Sequence, residues 1–79
     1  MSTPLWFKRE IVHTPTRPDE IDAVKHVQRV LRCEETGKMD DSTRMHIRGM
    51  QVLFNLNPTG TINEETAAEV DRLVAPGAW

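Results

Sequence analysis

The chain has 79 residues, 38% apolar and 28% charged, a balance that fits one small globular domain and not a disordered tail. Ten Lys and Arg against twelve Asp and Glu give a net charge of −2, which argues against nucleic acid or an anionic membrane surface as a main partner, since both draw on a concentrated positive face. The single cysteine, Cys33, excludes an internal disulfide and a thiolate-rich zinc site, and no apolar run approaches the roughly 20 residues of a membrane span.

Residues 1–17 place Leu5, Trp6, Phe7, Ile11 and Val12 between Pro4 and Pro15 without a helical period. They predict an extended N-terminal arm with one short strand over Leu5–Val12. The first ten residues lack a basic start followed by an apolar run, so no secretory signal is expected. Such a chain remains where it is made, or leaves by cell lysis or as part of a virion.

From Pro18 the pattern turns helical. Ile21, Val24, Val27, Val30 and Leu31 recur at spacings of three and four, and Pro18 with Asp19 suits a helix start. Glu34–Gly37 predicts a loop. A second helix is expected from about Asp41 to Asn55, with Ile47, Met50, Leu53 and Phe54 inward. The turn residues Asn57-Pro58-Thr59-Gly60 separate it from a third helix over about Glu64–Val74, which uses Ala67, Val70 and Leu73. Pro76-Gly77 ends that helix and leaves a short tail closing on Trp79.

An internal repeat organises these elements. Gln28 and Gln51, Gly37 and Gly60, and Thr43 and Thr66 are each separated by 23 (51 − 28, 60 − 37, 66 − 43). The apolar positions obey the same shift: Val24, Ile47 and Val70, then Val27, Met50 and Leu73, then Met39 and Ile62. Asp40 and Asn63 also match, each suited to cap the helix that follows. Polar, turn and apolar classes coinciding at one offset point to a duplicated helix–loop–helix-start unit. The expected fold is therefore mainly α: a small three-helix bundle with a 23-residue repeat, an arm over 1–17, a helical domain over 18–75 and a tail over 76–79.

The succession Val27-Gln28-Arg29-Val30-Leu31, Gly37-Lys38-Met39, Thr43, Ile47-Arg48-Gly49-Met50-Gln51, Thr59-Gly60-Thr61-Ile62 and Thr66 resembles the peptidoglycan-binding-like domain family, over roughly residues 21–74. The resemblance implies a three-helix, non-catalytic module that binds cell-wall peptidoglycan. Where the family carries Asp-Gly in each loop, this chain has Thr36-Gly37 and Thr59-Gly60. Asp40 replaces the second loop glycine, His46 an alanine and Met50 a phenylalanine.

Gln28 and Gln51 either line a ligand groove or tie each helix to its own loop; the second role is favoured because both units keep the residue. Thr43 and Thr66 suit a helix-start role and Gly37 and Gly60 a positive-φ turn, whereas Gly49 lies mid-helix, where it either permits a close neighbour or is an ordinary exposed glycine. Arg44 and Arg48 form a basic stripe that is first of all what a solvated helix face looks like; the lesser alternative is a role in meeting carboxylates of a stem peptide or an acidic protein surface. Trp6, Phe7 and Trp79 lie outside the repeat and are candidate partner anchors or extra core. His13, His26 and His46 do not share ligand spacing on one element, and no nucleophile–base pair emerges. The chain is thus expected to be non-enzymatic, with no cofactor or metal. Its expected partner is peptidoglycan; the alternative is other protein subunits, in a structural or adaptor role such as a bacteriophage head or tail component.

Overall fold

The computed structural model describes residues 3–73; Trp79 and the rest of the tail lie outside the described residues. Three helices make up a small helical bundle: α1 (Pro18–Val30), α2 (Asp41–Leu53) and α3 (Glu64–Leu73).

Each helix begins for a local reason. α1 starts on Pro18, whose missing N–H costs nothing in the first turn, with Asp19 and Glu20 placed against the positive helix end. At α2, the Asp40 carboxylate accepts from the Thr43 N–H at 3.0 Å. At α3, the Asn63 side-chain oxygen accepts from the Thr66 N–H at 2.9 Å. These two N-caps share one geometry and occupy matching places in the repeat.

The first two helices also end alike. Arg32 N–H bonds the Arg29 carbonyl and Cys33 N–H the Gln28 carbonyl; Asn55 N–H bonds the Val52 carbonyl and Leu56 N–H the Gln51 carbonyl. These paired 5→2 and 6→1 bonds are Schellman closures, which require a left-handed residue. Arg32 (φ 61°) and Asn55 (φ 60°) fill that place. Asn tolerates it; for Arg it is a strain.

The core is one cluster. Val24 and Val27 of α1, Ile47 and Met50 of α2 and Ala67 and Val70 of α3 meet there, joined by Met39 and Ile62 from the two loops. Leu53, expected inward, is 77% exposed. At about 100° per residue it falls some 120° from Ile47, off the stripe that Ile47, Met50 and Phe54 define.

Among the described residues, the segment before α1 forms no strand. The expected strand over Leu5–Val12 reduces to a single antiparallel bridge, Ile11 to Ile62, with N–H···O distances of 3.0 and 3.1 Å. Ile11 is buried in the same core as the helices. Further bonds stitch this segment along both loops: Met39 N–H donates to the Thr14 hydroxyl, and the Thr61 hydroxyl donates to Glu10.

Candidate functional site

The two glutamines are fully buried. The Gln28 amide nitrogen lies 3.0 Å from the Thr36 hydroxyl, 3.1 Å from the Lys38 carbonyl and 2.8 Å from the Thr43 hydroxyl, while its oxygen accepts from Gly37 N–H at 2.9 Å. The Gln51 amide nitrogen makes the corresponding approaches to Thr59, Thr61 and Thr66 at 3.1, 3.1 and 2.8 Å, and its oxygen accepts from Gly60 N–H at 3.0 Å. Two hydrogens serve three acceptors in each set, so one is shared. Each glutamine therefore locks its own loop to the start of the next helix. Neither reaches the surface.

The loop glycines complete these locks. Gly37 and Gly60 hold φ of 75° and 76°. A Cβ at Gly37 would lie 2.8 Å from Ile21 Cγ2, and one at Gly60 would lie 3.0 Å from Arg48 Nε. The Arg48 side chain thus lies across the second loop, its end still exposed. Arg44 is committed within the chain: its guanidinium donates to the carbonyls of Met39 and Val12, joining α2 to the N-terminal segment. The basic stripe expected from Arg44 and Arg48 is therefore divided between a clamp and a loop cover.

Trp6 and Phe7 pack in cis. Their rings meet edge to face at 6.2 Å, and Trp6 stands 5.1 Å from the His26 ring on α1. Both are partly buried against the core. Trp6 Nε1 and His26 Nε2 are buried without a hydrogen-bond partner among the described residues. Burial, then the nearby Arg29 charge, lowers the His26 pKa from its usual value, opposed by Asp71. Desolvation raises the Cys33 thiol, which keeps it in the unreactive protonated form. Among the described residues, no group of three or more His, Cys, Asp or Glu could hold a metal ion.

The surface feature that sequence reasoning missed is apolar. A groove of about 490 Å³ runs along α2 between the ends of α1 and α3, lined by Leu31, Met45, His46, Gly49, Met50, Leu53, Phe54 and Leu73. Met45, Gly49 and Leu53 follow one another at intervals of four along α2, making a stripe on its outer side. Met45 is 70% and Leu53 77% exposed, with Val52 beside them at 62%. Single exposed apolar residues are ordinary; here Met45, Val52 and Leu53 lie near one another beside the groove. At Gly49 nothing among the described residues lies within 4 Å of where a Cβ would stand, so no contact among them requires glycine there. Its mid-helix position costs about 1 kcal/mol relative to Ala. The signal was present in the sequence as Leu53 off the inward stripe and Gly49 inside a helix.

The His46 Nδ1–H donates to the Ser42 carbonyl at 2.7 Å, a bond within its own helix. No helix among the described residues is long and apolar enough to cross a membrane. In comparisons with known proteins, no family model, no curated protein and no solved structure matches the chain.

Proposed function

We propose that the chain is a non-catalytic protein-interaction module, an adaptor or structural component, whose recognition surface is the groove beside Met45, Gly49 and Leu53. The observation that carries the reading is the exposure of this apolar stripe on a helix that could have placed polar residues there. The groove offers hydrophobic area and flexible methionine, the chemistry of protein contacts, and few of the convergent polar groups with which a glycan is held. Three polar residues with a possible ligand role, Gln28, Gln51 and Arg44, are engaged in hydrogen bonds within the fold.

The test mixes the purified chain with candidate partner subunits, such as the products of neighbouring genes, and follows mass by size-exclusion chromatography with light scattering. A complex formed by the wild type and lost in Leu53→Glu is expected. A monomer that ignores every candidate would sink the reading.

Peptidoglycan is the second reading, favoured by the ordered Gln, Gly and Thr positions that resemble peptidoglycan-binding-like domains. Co-sedimentation with insoluble peptidoglycan that persists in Leu53→Glu would support it over the first; protein left wholly in the supernatant would count against it.

A further inference from the structure

The segment before α1 is fastened unevenly. From Glu10 onward its ties reach the core: Ile11 is buried there and paired with Ile62, Glu10 accepts from Thr61, Val12 from Arg44 and Thr14 from the Met39 N–H. Residues 3–9 have weaker polar ties. Thr3 donates to Glu64 in an exposed bond of 2.9 Å, and the largely exposed Arg9 stands 3.7 Å from Glu20. Such contacts contribute little at a surface. The firmer hold is a turn closed by Phe7 N–H on the Pro4 carbonyl, with Pro4 buried and the rings of Trp6 and Phe7 packed against the core. Trp6 lies 5.1 Å from the His26 ring, tilted by 58°. Trp6 Nε1 and His26 Nε2 are buried there without a hydrogen-bond partner among the described residues.

We infer that residues 3–9 are a strap that the Trp6–His26 ring contact holds shut on α1, and that a proton taken up by His26 opens it while the Ile11–Ile62 bridge and the three helices stay closed. In the cation both ring nitrogens carry a proton, so Nε2 becomes a charged donor in a place that gives it no acceptor. The indole N–H of Trp6 can only donate. Of the charges that act on the ring, Arg29 on its own helix disfavours the cation, and Asp71 of α3 favours it by less. The strap meets it with Trp6, while Arg9 is turned to Glu20. Attraction of a cation to an indole face works the other way, but it offsets only part of the cost of a buried charge without an acceptor. Swinging Trp6 away returns the imidazole to water, so the open strap binds the proton more tightly than the closed one. Closure is therefore complete above about pH 6.5, the ordinary histidine value, and is lost below it, toward the lowered value of the closed state. Opening frees the run Leu5-Trp6-Phe7, of which Leu5 is already 91% exposed.

The test is an amide-resolved NMR titration of the full chain from about pH 8 to about pH 5, above the ordinary range of carboxylates. The His26 ring should titrate with a midpoint below about 6.5. With that same midpoint the amides of residues 5–9 should move to coil-like shifts and the nuclear Overhauser contacts between Trp6 and His26 should vanish. The Ile11 and Ile62 amides should keep their protection from hydrogen exchange throughout. In His26→Phe, which keeps a ring and cannot take up the proton, the strap signals should not change over this range. Trp6→Ala should open residues 5–9 even at about pH 8, with the helices intact by circular dichroism. Five results overturn the inference: a wild-type strap that stays closed after His26 has titrated, one that opens with a different midpoint, loss of Ile11 and Ile62 protection along with the strap, pH-dependent opening in His26→Phe, or a closed strap in Trp6→Ala.

Discussion

Replacing Gln51 by Met, which keeps the length of the side chain and removes its amide, tests the loop lock most severely. The buried Gly60 N–H would lose its acceptor, and the Thr61 carbonyl and Thr66 hydroxyl would lose a donor. A buried polar group left without a partner costs about 1–3 kcal/mol, and the relaxed groups recover part of that from water at the loop surface. The expected loss is therefore about 2–4 kcal/mol. A chain of 79 residues has roughly 4–12 kcal/mol in total, so the variant approaches unfolding. Urea denaturation followed by helical circular dichroism measures it, read as a lower midpoint at unchanged slope. Gln28→Met should cost a similar amount, because its four contacts match those of Gln51 in kind of partner and in length. Thr66→Val should couple with Gln51→Met in a double-mutant cycle and add independently to Gln28→Met, which shares none of its bonds. A loss under about 1 kcal/mol for both glutamine variants would refute the view that they hold the fold together.

Other consequences follow from the same geometry. Arg32→Gly should raise stability by roughly 1 kcal/mol, since it relieves a left-handed φ of 61° at the end of α1; thermal denaturation reads the gain, and no gain would mean the strain is offset there. Gly37→Ala should cost more than Gly60→Ala in urea titrations. Both incur about 1–2 kcal/mol for positive φ, but the Cβ at Gly37 meets Ile21 Cγ2 at 2.8 Å, whereas at Gly60 it meets the flexible Arg48. The lowered pKa of His26 means the unfolded chain takes up its proton first as pH falls. The contribution is thus complete above about 6.5 and lost below it, toward the lowered folded value. His26→Gln should flatten that part of the stability–pH curve. Further loss near pH 4 is expected from Glu35 and Asp40, whose carboxyls are lowered by bonds from Arg29 and Thr43.

Much of the helical frame was legible because its causes are local. Periodic Val24, Val27, Ile47 and Val70 mark the inward stripes, Asp40 and Asn63 mark helix starts, and paired Gln, Gly and Thr mark the loop locks. What escaped depends on distant partners. Nothing near Ile11 announces that it pairs with Ile62, which lies beyond two helices in the chain, so the segment looked like a free arm with a strand of its own. Arg44 looked like a surface charge because the Val12 carbonyl that it meets is brought to it only by the folded arm. The left-handed Arg32 carries no sequence signal, whereas Gly37 and Gly60 do. The groove was missed for a different reason: Leu53 keeps three-residue spacing from Met50 and so imitates an inward position, although at about 100° per residue it falls off the stripe that Ile47 and Phe54 share.

The outer face of α2 as a protein-binding surface is tested most directly by Leu53→Glu. The variant should leave stability in urea within about 0.5 kcal/mol of wild type, because the side chain is largely exposed. In light scattering with a partner subunit that the wild type binds, the same variant should run as a free monomer. A complex of undiminished mass and affinity in Leu53→Glu would contradict that role for the face.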